Sequence, residues 1–392
     1  MAKRVGIEVS FAVAEAARMA NVDVIAAYPI TPQTHIVERL AEMVANGELD
    51  AEYIPVESEH SAMSACLGAS ATGARAFTAT AGQGLELMHE VLYIAPSSRL
   101  PLVMSVCNRA LSAPLSVWGD HSDAMAVRDT GWIQVFVENG QQAFDHTLWA
   151  FRVSEDPQVL FPIMVHQDGF QLTHVIEPVL LPEQEEVDRF LPKRRYPFAL
   201  DPDKPVSIGC YGPPFIYSEV KKAQDVAFRS LAVKEVILKG WKEFGDIFGR
   251  YYSPVETYKT ENAKVLLLTM GSFSETAMAA VDRKKEEGKE VGLVRLRLWR
   301  PFPLEELRQA TRQADILLVL DRCISFGAQA PVCSEVRSAL YREEKRLQIF
   351  SFVGGLGGRD ITVGGFEYMI DRGFEILEKG TREEFEMIGM RE

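Results

Sequence analysis

The chain has 392 residues, 47% hydrophobic and 25% charged, with a formal net charge of -13. That length supplies two or three globular domains and ample chain to bury a core, and the composition is ordinary for a globular protein. The negative balance disfavours a nucleic-acid or anionic-membrane partner; with Glu8 interrupting the apolar start and no run of membrane-spanning length, a cytoplasmic chain without signal or anchor is expected.

In chain order, apolar runs alternate with amphipathic helical patterns. Val22 to Tyr28, Ala51 to Val56, Ala74 to Ala79, Leu102 to Val106, Ile133 to Val137 and Val159 to Val165 read as strands, with helices such as Gln33 to Ala45 and Gln141 to Ser154 between them. This rhythm predicts a parallel α/β layer. From Glu177 to about residue 217 the chain turns polar and proline-spaced, too long for an ordinary connection, and reads as an arm lying on a partner or on the domain's own flank. A helical segment from about Ser218 to Phe248 follows, and the join falls near residue 255. A second α/β unit, 256–392, then alternates strand 263–272, helix Glu275 to Glu287, strand Glu290 to Leu298, helix Leu304 to Ala314, strand Ile316 to Leu320 and a strand near Gln348 to Val353.

Three residues fall at or just past the ends of successive strands in the first unit, the edge of an open parallel sheet where ligands bind. Thr31 sits in Tyr28-Pro29-Ile30-Thr31-Pro32, a loop stiffened by two prolines. Glu59 closes Pro55-Val56-Glu57-Ser58-Glu59-His60, ahead of a helix of thin side chains that admits close packing. An acid at a helix start can simply complement the dipole; beside Thr31 and Arg109 it reads as chemistry. Arg109 follows the buried strand ending Cys107-Asn108, where a guanidinium is costly unless an anion meets it. Gly82-Gln83-Gly84 ends another strand on this edge and could let a cofactor ring approach the backbone. Gly354-Gly355-Leu356-Gly357-Gly358 fits no nucleotide fingerprint and reads as a turn.

The five cysteines, at 66, 107, 210, 323 and 333, are odd in number and lack a Cys-x-x-Cys, so neither disulfides, zinc nor an iron–sulfur cluster is expected on this chain. Cys66 and Cys107 are expected to act as small hydrophobes.

Tyr28-Pro29-Ile30-Thr31-Pro32, Glu57-Ser58-Glu59-His60-Ser61-Ala62-Met63, the run Asn108 to Ser116 and Gly119-Asp120-His121-Ser122-Asp123 together resemble the alpha subunits of 2-oxoacid:ferredoxin oxidoreductases, closest to the pyruvate enzymes. The similarity continues through Gln167-Asp168-Gly169-Phe170 and the segment Val294 to Pro303. It implies a pyrimidine-type thiamine-diphosphate-binding domain followed by a transketolase C-terminal-like domain. Glu59 would bond the aminopyrimidine and do acid–base work, its pKa raised by an apolar setting, while Glu57 points away. Gln83 and Gly84 would lie against the cofactor. Arg109 and the Thr31 hydroxyl would hold the substrate carboxylate, with Asn108 shaping the pocket; Arg128 reads as an ion-pair residue. Trp118 would either narrow the pocket or belong to the core.

No Gly-Asp-Gly occurs in the chain: Gly119-Asp120-His121 and Gly245-Asp246-Ile247 lack the second glycine. The resemblance therefore implies a divided site, with Mg2+ and the diphosphate on a beta subunit. Iron–sulfur clusters would sit on partner chains, a gamma and a ferredoxin-like delta subunit completing the enzyme, and coenzyme A and ferredoxin taking the acyl group and the electrons. The nearest alternatives are an oxidoreductase for 2-oxoisovalerate, 2-oxoglutarate or an aryl 2-oxoacid, a lipoamide-linked dehydrogenase beta subunit, and a non-catalytic assembly subunit.

Overall fold

The computed structural model describes residues 3–209, 211–343 and 347–390. Its first unit is built on a seven-stranded sheet. The strands lie in the order Leu298–Arg300, Ile133–Phe136, Ile163–Asp168, Val103–Asn108, Ala76–Thr80, Val24–Ala27 and Glu52–Pro55. All neighbours run parallel except the first pair. The central strands Ala76–Thr80, Val103–Asn108 and Ile163–Asp168 are buried along their whole length, as helices on both faces require. One face packs helices Val9–Met19, Thr34–Ala45, Gly140–Ser154 and Leu231–Phe248, where Trp149 and Trp241 stack with centroids 4.8 Å apart. The other face carries helix Glu59–Ala71, whose Ala62, Cys66 and Ser70 let it lie close enough for the Ser70 hydroxyl to reach the Pro101 carbonyl at 2.7 Å.

The chain visits Val24–Ala27, steps outward to Glu52–Pro55, and then returns to the opposite side with Ala76–Thr80. Strand order thus reverses around Val24–Ala27. The loops leaving Val24–Ala27 and Ala76–Thr80, which carry Thr31 and Gly82 to Gly84, flank this switch point, where open α/β sheets form their ligand crevice.

A six-stranded sheet forms the second unit, in the order Phe385–Met387, Gln348–Val353, Ile316–Asp321, Val265–Thr269, Val291–Leu296 and Val255–Tyr258, with only the last pair antiparallel. The run expected as one strand over Glu290 to Leu298 divides: Val291–Leu296 stays in this sheet, and Leu298–Arg300 crosses to the edge of the first. Arg297, buried between them, pairs with Glu256, so the crossing is held by charge as well as by backbone bonds.

The expected arm is more ordered than its prolines suggest. Ile176–Leu181 is a strand paired antiparallel with Lys3–Glu8, and Gln184–Phe190 is a helix with a capping box. Pro178 lies opposite Gly6 in a two-stranded ribbon, where a missing amide is tolerated. Beyond Phe190 the described residues to Pro213 have only isolated turns and bridges, and the helical stretch is two helices, Pro214–Phe228 and Leu231–Phe248. Helix Pro214–Phe228 buries none of its residues within this chain.

Candidate active site

Ser58 caps helix Glu59–Ala71: its side chain accepts from the Ser61 amide at 3.2 Å. With the helix end already satisfied, the first helical residue, Glu59, is free to turn inward, and it is 5% exposed. Burial raises its carboxyl above the ordinary value, its own amide opposing the shift. Glu57, two positions earlier, is exposed, accepts from the Ser61 hydroxyl at 2.5 Å and is pulled below the ordinary value by that bond. The two carboxylates thus have opposite surroundings.

The Glu59 carboxylate lies directly over Gly84. A Cβ there would sit 2.5 Å from Glu59 Oε1 and 2.7 Å from the Thr80 hydroxyl oxygen, so only a glycine fits. The buried Thr80 hydroxyl has no hydrogen-bond partner among the described residues, and neither has Gln83 Oε1; the Gln83 amide nitrogen donates to the Ser112 hydroxyl at 2.9 Å. A buried acid whose pKa is raised by desolvation, a glycine cradle and orphaned polar atoms suit the polar edge of a flat heteroaromatic ring. The residues therefore fit the aminopyrimidine end of thiamine diphosphate.

Arg109 packs over the other glycine. Gly82 has φ +47°, and a Cβ on it would come within 3.0 Å of the Arg109 side chain. The guanidinium donates to the carbonyls of Ser116 (2.7 Å) and Thr31 (3.0 Å). Of the four buried arginines, Arg75, Arg297 and Arg322 each face a carboxylate; Arg109 faces none among the described residues. Burial lowers its pKa, with Asp123 opposing. A buried guanidinium donating to these carbonyls has capacity left for an anionic group. Thr31 contributes its carbonyl to Arg109, and the residue itself is exposed.

Asn108, expected against substrate, is instead wholly buried. Its amide nitrogen bonds Asp123 Oδ1 at 2.9 Å and His166 Nδ1 at 3.1 Å, because the strand's alternation turns this side chain beneath the edge. Asp123 is the residue sequence reasoning passed over. It accepts from the amides of Gly82 (3.0 Å) and Arg109 (2.9 Å), pinning both glycine loop and arginine from below. Burial pushes its carboxyl up to about 7 despite these donors. Both acids of Gly119 to Asp123 are buried, and nothing in the string marks the last as the one that reaches under the glycine loop and the arginine.

The second unit closes the same edge. Asp168, at the end of its strand, accepts from His121 at 3.0 Å and from the Ser272 amide and hydroxyl at 2.8 and 2.6 Å, and pairs with Arg322. Burial alone would raise this carboxyl, but Arg322 and His121 hold it well below the usual range. The glycine run is a docking turn: the amide of Gly358 donates to the Gly119 carbonyl at 2.7 Å, that of Gly357 to Asp120 at 3.1 Å. Trp118 is not a core residue; half-exposed, it packs against Phe170 at a tilt of 47° with centroids 4.6 Å apart. Arg128 pairs with Asp129 and Glu335. Cys66 and Cys107 are buried, burial pushing the Cys66 thiol up to about 12, whereas Cys210 lies outside the described residues. A cleft of about 1360 Å³ lies elsewhere, between helix Pro214–Phe228 and the Arg300 to Leu304 turn; none of Thr31, Glu59 and Arg109 lines it.

Residues 15–238 match the family described as pyruvate flavodoxin/ferredoxin oxidoreductase, thiamine diphosphate-binding, and residues 263–366 match pyruvate:ferredoxin oxidoreductase core domain II. Pyruvate synthase subunit PorA of Methanothermobacter thermautotrophicus is 49% identical over 366 residues, 93% of this chain and 94% of the relative. Ketoisovalerate oxidoreductase subunit VorA of Pyrococcus horikoshii is 45% identical over 373 residues, 95% and 94% of the two chains. Among solved structures, the 2-oxoglutarate:ferredoxin oxidoreductase of Magnetococcus marinus superposes with a TM-score of 0.69 at 19% identity, covering 95% of this chain and 65% of that one. A split-gene transketolase gives a TM-score of 0.54 at 11% identity, covering 94% and 97%. Both share the fold of two successive parallel α/β units. With two family matches along its length and a relative at 49% identity over 93% of it, the chain belongs to the pyruvate:ferredoxin oxidoreductase family.

Proposed function

We propose that this chain is the alpha subunit of a multi-subunit pyruvate:ferredoxin oxidoreductase, which oxidatively and reversibly converts pyruvate and coenzyme A to acetyl-CoA and carbon dioxide with electrons passed to ferredoxin. The observation that carries the reading is the Glu59 carboxylate held over Gly84 beside the unpartnered Thr80 hydroxyl, at the switch point of a thiamine-binding domain. Thiamine diphosphate, when bound, supplies the carbon nucleophile and the electron sink for decarboxylating a 2-oxoacid.

The chain's own residues then have defined work. Glu59, its pKa raised by burial, gives and takes the proton at the aminopyrimidine ring nitrogen. Gly84 admits the ring to that contact, and Gln83 offers its free carbonyl oxygen beside it. Arg109, which lacks a carboxylate partner among the described residues, holds the carboxylate common to all 2-oxoacids, a charge-assisted contact of about 1.5–3 kcal/mol. Thr31 sets the arginine through its carbonyl, and Asn108 and Asp123 support it from beneath.

Mg2+ and the diphosphate are assigned to a beta subunit, and the iron–sulfur clusters to partner chains including a gamma and a ferredoxin-like delta subunit. The missing Gly-Asp-Gly supports this division, as do the exposed Leu87, Leu115 and Trp118 near the site. We place the assembly in the cytoplasm; no helix among the described residues is long and apolar enough to cross a membrane. The division of the chain is assigned to residue 255, with 256–392 as the second domain.

A preference for 2-oxoisovalerate is the second reading, favoured by the 45% identity to a ketoisovalerate subunit. Steady-state assay of the assembled enzyme on a panel of 2-oxoacids with coenzyme A and an electron acceptor tests both. The highest kcat/KM is expected for pyruvate. Preference for 2-oxoisovalerate would reverse the substrate assignment, and absence of turnover with every oxoacid would make this an assembly subunit.

A further inference from the structure

At the start of the helix that follows the Thr31 loop, Glu8, His35 and His174 converge from three elements, one ligand atom of each lying within 4.8 Å of the others. Glu8 ends the strand Lys3–Glu8 and precedes helix Val9–Met19, yet its carboxylate makes no capping bond; it meets His35 Nδ1 at 2.6 Å. His35 lies in the first turn of helix Thr34–Ala45, and its ring centroid is 4.5 Å from that of His174. His174 sits on the return towards strand Ile176–Leu181. That return is tied to the Glu8 segment, the amides of Val9 and Ser10 donating to the carbonyls of Val175 and Thr173 at 3.1 and 3.0 Å. All three ligands are thus set on fixed backbone.

The surroundings resemble a metal site's outer ring. The Thr173 hydroxyl oxygen lies 2.7 Å from His174 Nδ1 and also accepts from the Phe170 amide at 2.9 Å. A hydroxyl oxygen accepts two such bonds, so Nδ1–H can donate to it and orient the ring while the other nitrogen binds a cation. Phe170 packs 4.6 Å from His174 and Phe11 6.1 Å from His35, an apolar wall on two sides. The three ligands are half-buried, which leaves room for water in the remaining coordination positions.

We propose that Glu8, His35 and His174 form a binding site for a divalent first-row transition metal. Two imidazoles and one carboxylate suit Zn2+, Co2+ or Ni2+ and disfavour Mg2+ and Ca2+, which take oxygen donors. The spacing of the three residues in sequence gives no hint of it, since the cluster exists only once the N-terminal strand pairs with the segment after His174.

Calorimetric titration of the full chain with Zn2+, and absorption titration with Co2+, test the site. One equivalent should bind, and Glu8→Gln and His174→Ala should each weaken binding by more than about 100-fold, beyond the 10–100-fold typical of an outer partner. Thr173→Val should fall within that lower range, and Mg2+ should not compete. Zn2+ binding that is unaffected by these substitutions, or a Co2+ spectrum dominated by thiolate ligation, overturns the proposal. Should a variant fail to fold, anomalous scattering at the zinc edge from crystals of the assembled enzyme decides directly: a peak between the three side chains supports the site, and its absence at saturating Zn2+ refutes it.

Discussion

Glu57 and Glu59 differ by two positions and by everything that sets a carboxyl's chemistry. The helix-capping duty falls to Ser58, Glu57 stays in water, and Glu59 turns inward over Gly84. In the assembled enzyme, Glu59→Gln should slow proton–deuterium exchange at the thiazolium carbon by about 100-fold to 10,000-fold, the usual worth of a positioned acid–base group. Glu57→Gln should leave it unchanged, and a comparable loss there would mean the wrong carboxylate. Gly84→Ala should displace the Glu59 carboxylate and cost up to about 100-fold in the same exchange, a misplacement effect, with an overpacking cost of about 1–3 kcal/mol in stability. For Arg109→Ala the exchange should survive while transition-state stabilisation for the oxoacid, read from kcat/KM, falls by about 2–5 kcal/mol. Arg109→Lys should recover part of it, since an ammonium keeps the charge without the two-pronged geometry. Normal turnover with weakened assembly would make Arg109 a structural residue. Which carboxylate turns inward was legible only through the resemblance, Glu59 matching the family's motif; the parity against Glu57 is explained by the Ser58 cap, which appears only in the structure. That Thr31 offers a carbonyl was not legible, because it depends on loop backbone conformation that no local pattern encodes; nor was the burial of Asn108, because a continuous apolar run does not show that the strand extends to include it.

Elements explain how these residues are held. The strands around the switch point were legible from their apolar runs, most boundaries falling within two or three residues, since burial on both faces leaves a continuous signal. The ribbon Lys3–Glu8 with Ile176–Leu181 was not, since an exposed strand containing Pro178 carries the composition of a loop. Nor could the crossing of Leu298–Arg300 into the first sheet be read, because it is decided by the buried pairing of Arg297 with Glu256 rather than by strand propensity. The joint between the units rests on Asp168 with Arg322, His121 and Ser272. Arg322→Ala should destabilise the chain by about 3–5 kcal/mol, the cost of leaving a buried carboxylate without its cation, seen as a lower midpoint in urea unfolding. Asp168→Asn with Arg322→Met should restore part of the loss. An unchanged midpoint in the single variant would mean that the units are joined by the Gly357 and Gly358 turn instead.

For the whole molecule, burial leaves a titration signature. Asp321, at the amino end of helix Pro331–Leu340, accepts from the amides of Val332 and Cys333 at 2.7 and 3.0 Å, yet burial pushes it up to about 7 from an ordinary 3.8. The folded chain therefore keeps a proton that the unfolded chain releases, so this contribution is present below the ordinary value and is lost as pH rises towards 7. Asp321→Asn should flatten that part of the stability profile in thermal unfolding scans across the window. At the same scale stands the central claim, that this chain brings only the pyrimidine half of a divided thiamine site. Calorimetric titration with thiamine diphosphate and Mg2+, on the full chain alone and on the assembled enzyme, tests it most directly. The account predicts tight binding in the assembly and none at micromolar concentration by the chain alone; micromolar or tighter binding by the chain without a partner would contradict it.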